Sequence, residues 1–483
     1  MSGDKMKYKT VIGLEVHAQL NTESKIFCSC STEFGAAANT HACPVCMGLP
    51  GVLPVLNKKV LEKAILAGLA TECSISEYSK FDRKNYFYPD LPKAYQISQF
   101  DKPICKSGKI RVKSGEGFKD IRLNRIHLEE DAAKNVHPED ASKNYSYVDF
   151  NRSGTPLIEI VTEPDISSGD EAYEFLSKLK QILRYIGVSD CNMEEGSLRC
   201  DVNISIMPED ATKLGNKVEI KNMNSFKAVK LAIEFEYKRQ LQMTEYGETI
   251  VQETRLWNAD KLETYSMRSK EDSHDYRYFP DPDLAPVIVD KEFIDKLKSS
   301  LAELPDAKID RFMKDFALPV YDASVLSSTR ELAEYFEKTV SNGANPKKAS
   351  NWIMSELLAH VDDSEKMESF IVKPESLAKL LLLVDKNVIN GKIAKTVFSD
   401  MLQSGEDPEE IVNKKGLTQV SDTSEIEKIV EAVIAANPQS IADIKEGKAK
   451  AAGFLVGQVM KESKGKANPQ IVNEILNKCI AKL

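Results

Sequence analysis

Glu15 and His17 stand two residues apart in Gly13-Leu14-Glu15-Val16-His17, an apolar, β-prone stretch, so a strand there points both side chains to one side. A carboxylate and an imidazole so placed begin a two-ligand metal site. Acids recur in similar settings: Ile126-His127-Leu128-Glu129-Glu130-Asp131, the aliphatic run Leu157-Ile158-Glu159-Ile160-Val161, and Val218-Glu219-Ile220. An ionised carboxyl group in apolar surroundings is costly unless a cation or several donors compensate it. A wet strand face or a basic neighbour explains any one of these acids. Together they point to a hard divalent cation held mainly by oxygen, magnesium before zinc.

A second set is built of sulfur. Cys28-Ser29-Cys30 and Cys43-Pro44-Val45-Cys46 are separated by twelve residues, a spacing that lets two turns bring four thiolates to one tetrahedral ion. We expect structural zinc at Cys28, Cys30, Cys43 and Cys46, with His41 close enough to replace one thiolate. Four ligands close such a site to substrate, so its role is shape. The other five cysteines are scattered, and an odd total of nine fits a reducing compartment better than a disulfide framework.

Several polar stretches resemble parts of a working cleft. The turn Asn151-Arg152-Ser153-Gly154-Thr155-Pro156 precedes the Glu159 strand, and its arginine and amides suit a phosphate. Arg199, Asp201, Asn203 and Ser205 alternate with Leu198, Cys200, Val202 and Ile204, placing four polar groups on one side of a strand. Residues 82–96, including Lys84, mix basic groups with aromatics, and a related phrase, Tyr276-Arg277-Tyr278-Phe279-Pro280-Asp281, forms a candidate opposite wall. Such loops grip nucleic-acid ends, and they also pack against sheets. None of the four Gly-Lys pairs is followed by Ser or Thr, and GxGxxG, GxSxG and HExxH are absent, which excludes the P-loop, dinucleotide, α/β-hydrolase and metalloprotease motifs.

These groups need elements to carry them. At 483 residues with 42% hydrophobic content, the chain forms several cores. Its net charge of -9 argues against a general nucleic-acid coat while permitting a local basic surface. The amino terminus lacks the apolar core of an export signal, and the longest aliphatic cluster, around 377–384, is too short to span a bilayer. No membrane association is expected, and the cytoplasm is the default location. Up to about residue 290, short Val-, Ile-, Tyr- and Phe-rich runs alternate with turns, predicting an α+β domain with a mostly antiparallel sheet. Helices are expected at 58–70, 169–185 and 225–243. Beyond 290 the periodicity is helical, with a capping box at Ser328-Thr329-Arg330-Glu331, a stop at Ser404-Gly405 and a start at Asp407-Pro408-Glu409-Glu410. The predicted domains are 1–291, 292–405 and 406–483. From Ile441 to Leu483 eight lysines face four acids, several beside glycine, which suits a phosphate backbone.

Val11-Ile12-Gly13-Leu14-Glu15-Val16-His17, His127-Leu128-Glu129-Glu130-Asp131, Glu194-Glu195-Gly196-Ser197-Leu198-Arg199-Cys200-Asp201 and Asp275-Tyr276-Arg277-Tyr278-Phe279-Pro280, with the 80–90 and 151–161 stretches, resemble the B subunits of the aspartyl/glutamyl-tRNA(Asn/Gln) amidotransferases, in order along the chain. The resemblance implies a cradle-shaped catalytic domain, a helical domain and a small helical tail that contacts tRNA. It implies a three-chain enzyme in which an A subunit hydrolyses glutamine, ammonia travels through a channel, and this subunit uses ATP to activate the aspartyl or glutamyl group of misacylated tRNA(Asn) or tRNA(Gln). A C subunit completes the assembly. Carried over, Glu15, His17, Glu130 and Glu159 are expected on Mg²⁺, with Glu129 and Glu219 as secondary candidates. Arg152 and Arg199 orient phosphate or the acyl end, and Arg152, Ser153 and Lys84 face ATP. Some members lack the four cysteines, so zinc is not essential to the chemistry. The related archaeal E subunit carries a large inserted domain for which this length leaves no room. A noncatalytic zinc-stabilised RNA-binding scaffold is the alternative, and it would tolerate Glu15→Gln.

Overall fold

The computed structural model describes residues 7–138, 142–267, 276–361, 364–418, 423–445, 449–463, 467 and 469–481. They form two compact units, 1–304 and 305–483.

The first unit is built on a nine-stranded sheet. From edge to edge its strands are β14 (Glu263–Ser266), β13 (Glu253–Asn258), β12 (Val218–Lys221), β11 (Leu198–Pro208), β1 (Tyr8–Gln19), β10 (Pro156–Thr162), β7 (Gly117–Glu130), β6 (Cys105–Ser114) and β2 (Ser74–Ile75). Every pairing is antiparallel except β12 with β13. Smaller sheets join β15 (Phe279–Pro280), β4 (Asp82–Asn85) and β5 (Tyr95–Ser98); β16 (Val287–Ile288) and β3 (Tyr78–Ser79); and β8 (Lys134–Val136) and β9 (Tyr147–Asp149).

Period-two alternation sorts the large sheet into two faces. Leu14, Val16 and Ala18 of β1, Ile158 and Ile160 of β10, Ile126 and Leu128 of β7, and Cys200, Val202 and Ile204 of β11 join one buried core. Helices α1 (Lys58–Ala70), α2 (Gly169–Tyr185) and α3 (Phe226–Glu245) contribute Val60, Ile65, Phe175, Leu179, Leu183, Val229 and Ile233 to it. These helices fall where the sequence places them because each has an oxygen-bearing cap: Asn57, Ser168 and Ser225 accept from Lys59, Glu171 and Ala228 amides. The polar alternates, Glu15, His17, Glu159, His127 and Glu129, point the other way.

Although the sequence turns helical near 290, α4 (Lys291–Ser300) belongs to the first unit, with Leu297 buried in its core. The second unit is helical, from α5 (Pro305–Asp315) to α15 (Pro469–Ala481). Its described residues make two cores: one runs from Phe312 through Phe336, Leu377 and Phe398 to Val412, and the other includes Ile426, Val430, Leu455, Val459 and Leu476. Helix α7 (Arg330–Ser341) is capped by Thr329, whose hydroxyl accepts from Leu332 N at 3.3 Å. The cap therefore falls one residue later than the Ser328 capping box requires, and Glu331 occupies the second helical position. The stop and restart lie as expected. Gly405 ends α10 (Gly391–Ser404) at φ +69°, and Asp407 caps α11 (Pro408–Lys414) with Pro408 in its first turn. The Gly-Lys pairs at 447–448 and 465–466 lie outside the described residues. No helix among the described residues is long and apolar enough to cross a membrane.

Candidate functional site

Sheet register gathers the polar face into rows. His17 pairs with Arg199 on one side and Glu159 on the other, and Glu159 pairs with His127, so four charged or titratable groups line up across β11, β1, β10 and β7. Two positions along, Glu15 lies opposite Asp201, and Glu219 of β12 lies opposite Asn203.

Two ligand sets result. In the first, His17, Glu129 and Glu159 place ligand atoms within 4.8 Å of one another. His17 Nε2 is 3.4 Å from Glu129 Oε1 and 3.3 Å from Glu159 Oε2, and His127 Nε2 reaches the same Glu159 oxygen at 3.4 Å. Glu15, Asp201 and Glu219 form the second set within the same limit. Asn203 Nδ2 donates to Glu15 at 2.9 Å, while Lys221 Nζ lies 2.6 Å from Asp201 and 3.0 Å from Glu219.

One carboxylate in each set lacks compensating charge, while Lys221 holds the Glu219 carboxyl below its usual range. Burial pushes Glu129 up to about 7, and burial together with the Glu159 charge raises Glu15. Burial opposes the His17 cation, but the Glu159 hydrogen bond and the Glu129 charge outweigh it and raise its pKa. Burial lowers His127 to about 4, and its Nδ1 is buried without a hydrogen-bond partner among the described residues. Burial also works against the Glu159 charge, yet the imidazoles of His127 and His17 hold its pKa low. A divalent ion would relieve the crowding of buried Glu129 and half-buried Glu159 and of the half-buried acids around Glu15. One set offers nitrogen and oxygen and the other oxygen alone, and the all-oxygen set suits a hard cation best.

Glu130 does not join either set. It follows Glu129 directly, so the pleat turns it to the opposite face, where Oε1 takes Lys93 Nζ and the Ile97 amide. Its pocket of about 220 Å³ is lined by Phe27, Val45, Leu49, Tyr95 and Gly154 among others. Arg152 uses Nε and Nη2 on the carbonyls of Ala132 and Ala133, at 3.0 and 2.9 Å. Ser153 is buried and donates to the Cys46 carbonyl at 2.8 Å. Arg199 lies beside His17 and donates to Asp131 at 2.8 Å. Lys84 Nζ sits 4.9 Å from the Tyr276 ring centre.

The sulfur atoms of Cys28, Cys30, Cys43 and Cys46 also lie within 4.8 Å of one another, a set that can hold a metal. Cys43 and Cys46 are 3.8 Å apart, against about 3.8 Å between two sulfurs at 2.3 Å from a tetrahedral ion. A hydrogen bond from Cys28 brings Cys46 down to about 4 and raises Cys28, while burial pushes Cys30 up to about 11. His41 is outside the set, its Nδ1 buried without a partner among the described residues.

Residues that sequence reasoning passed over complete the picture. His127 was legible from its alternation with Glu129. Asp131 sits buried, its pKa held low against burial by Arg199 and Arg152. Lys221 and the buried Lys25 gave no signal of their own.

Comparison with known proteins agrees with this arrangement. Residues 10–295 match the family described as GatB/GatE catalytic domain, and residues 334–480 match GatB domain. The first match covers the nine-stranded sheet except the first two residues of β1 and defines the chain's class. Proteins named as the B subunit of aspartyl/glutamyl-tRNA(Asn/Gln) amidotransferase are similar over nearly the full length. That of Caldanaerobacter subterraneus subsp. tengcongensis is 56% identical over 478 residues, covering 99% of this chain and 100% of the relative. That of Carboxydothermus hydrogenoformans is 55% identical over 479 residues, with 99% and 100% covered, and that of Prosthecochloris aestuarii is 55% identical over 472, with 98% of each covered. The chain belongs to the family of amidotransferase B subunits.

Proposed function

We propose that this chain is the tRNA-activating subunit of a glutamine-dependent aspartyl/glutamyl-tRNA amidotransferase. The carrying observation is the register that brings His17, Glu129 and Glu159 into one ligand set and Glu15, Asp201 and Glu219 into another on one sheet face. In this reading His17, Glu129 and Glu159 would hold one Mg²⁺ and Glu15, Asp201 and Glu219 another, and the metal would supply the charge neutralisation that phosphoryl transfer needs more than covalent help from the protein. An oxygen of the aspartyl or glutamyl carboxylate attacks the γ-phosphorus of ATP, and ADP leaves. Ammonia nitrogen then attacks the acyl carbon, phosphate leaves, and the nitrogen loses a proton to give the amide. Arg199, held by Asp131, faces the acyl end. Lys84 lies on the ATP side; Arg152, on the Ala132 and Ala133 carbonyls, and Ser153, on the Cys46 carbonyl, brace the turn before β10.

Zinc in the cysteine set braces the 28–46 loop. Ammonia arrives from a glutaminase A subunit, a C subunit completes the assembly, and misacylated tRNA(Asn) or tRNA(Gln) is the substrate in the cytoplasm. The first unit then serves as the cradle, and the carboxy-terminal helices contact the tRNA body.

Reconstitution with both partner subunits tests this. We expect Glu15→Gln to lower ATP- and glutamine-dependent amidation by about a hundredfold, the loss of about 3 kcal/mol of charge stabilisation, with glutamine hydrolysis retained. Undiminished amidation would favour the RNA-binding scaffold.

A further inference from the structure

Arg125 of β7 and Lys106 of β6 lie directly opposite each other, so both belong to one side of the sheet. Neither makes a hydrogen bond or an ion pair among the described residues, and Arg125 Nε is buried without a partner. We propose that this pair holds a backbone phosphate at the single-stranded 3′ end of the acylated tRNA, an inference that rests on the tRNA-dependent function above.

Like charges opposite each other on a sheet repel, and a half-buried guanidinium without an anion is costly. Other basic residues on the same two strands avoid that cost: Lys109 and Arg111 share Asp120, Lys119 takes Glu171, and Arg122 takes Asp165. A break in the pleat turns Arg125 outward. Ile121 and Leu123 sit in the core, and strict alternation would send Arg125 after them. Instead the register between β7 and β10 skips Asn124, pairing Leu123 with Thr162 and Arg125 with Val161, so that Arg125 shares the polar face with His127 and Glu129. Ser107, at φ +54°, stands beside this break on β6, next to Lys106. An irregularity that takes an arginine out of the core and sets it unpaired beside a lysine makes an anion site.

Position in the row selects the anion. Arg125 pairs with Val161 and Val161 with Glu15, so two strand spacings, about 10 Å, separate Arg125 from Glu15, and Lys106 stands one strand farther. The His127 imidazole, next along β7 on the same face, feels the Arg125 charge. In acylated tRNA the amino acid is joined to the terminal ribose, and that ribose carries its own 5′-phosphate. With the reacting carboxyl group at the ligand sets, this phosphate falls a side chain and a sugar away, beyond the ions, which is where Arg125 and Lys106 stand. A phosphate in transfer from ATP would sit on the ions themselves, too near Glu15 to need Lys106. The contact fixes where the acyl end lies and reads no base, since guanidinium and ammonium groups meet any phosphate.

The test compares the assembled enzyme carrying Arg125→Gln, Lys106→Gln or Arg125→Lys with wild type, measuring equilibrium binding of acylated tRNA across a salt series and, separately, of ATP. Lys106 is exposed, so its variant keeps the fold, and thermal melts check the Arg125 variants. We expect Arg125→Gln to bind acylated tRNA about tenfold more weakly, the size of one lost hydrogen bond to a charged group. Each Gln variant should flatten the slope of log affinity against log salt by about 0.7, one counterion fewer released from a single strand, with ATP affinity unchanged. Arg125→Lys keeps the charge and should keep the slope. Wild-type slopes in both Gln variants overturn the assignment, as does weakened ATP binding with tRNA binding intact. A wild-type assembly that binds no acylated tRNA would remove the underlying function as well, which separates the two failures.

Discussion

Glu159→Gln is expected to lower amidation of acylated tRNA by about a thousandfold while leaving glutamine hydrolysis in the assembled enzyme intact. The substitution keeps shape and removes charge. Glu159 is the shared member of its row: one oxygen faces both His17 Nε2 at 3.3 Å and His127 Nε2 at 3.4 Å, and Glu129 completes the set. Without that carboxylate two imidazoles face a neutral amide, and a cation loses one of its two anionic ligands. A bound metal contributes several kcal/mol of transition-state charge stabilisation, and about 4 kcal/mol corresponds to about three decades in rate. Its neighbours in the aliphatic β10, Ile158 and Ile160, stay packed in the core on the other face, so the sheet should survive. Amidation and glutaminase rates measured on one preparation decide the matter. Amidation within about threefold of wild type would show that the row is structural only.

Lys25→Met carries the largest expected effect on stability. Lys25 has 0% exposure and no carboxylate partner among the described residues. Its ammonium donates to the carbonyls of His41 at 2.7 Å and Phe150 at 3.3 Å, and lies 3.6 Å from Cys46 Sγ. A buried cation so placed needs an anion, and the thiolate of Cys46 supplies it. The same ammonium ties the cysteine loop to the turn carrying Arg152, which Ser153 and the Ile26 amide, bonded to the Gly154 carbonyl at 3.0 Å, also hold. Removing one partner of a buried pair costs about 3–5 kcal/mol, because the other charge stays uncompensated. Hydrogen exchange at the Ile26 and Gly154 amides should accelerate at least about a hundredfold, and metal should pass faster to a chelator. Exchange unchanged within about threefold would mean that Lys25 merely fills space.

How much of this was legible depends on what local sequence contains. Period two put Glu15 and His17 on one side of a strand, and polar caps fixed Lys58–Ala70 and Gly169–Tyr185. Register was not legible. Alternation says that only one of Glu129 and Glu130 faces the polar side, and the pairing of Leu157 with Glu129 and Glu159 with His127 decides which. Register likewise divides the acids, since Glu15 pairs with Asp201 while His17 pairs with Glu159 and Arg199, giving two sets where the sequence suggested one centre. Lys25 was invisible because a lysine between Ser24 and Ile26 reads as surface; long-range carbonyls from His41 and Phe150 bury it. The change to helical periodicity near 290 was real, yet Leu297 packs with the sheet domain because tertiary burial overrides local texture.

Crystals of the assembled enzyme soaked in Mn²⁺, with anomalous scattering recorded near the manganese edge, test the central claim most directly. The account predicts two peaks on the sheet face, one among His17, Glu129 and Glu159 and one among Glu15, Asp201 and Glu219, each with carboxylate oxygens at about 2.0–2.3 Å. A sheet face with no anomalous peak at millimolar Mn²⁺, its carboxylates still paired with His17, His127 and Lys221, would contradict it.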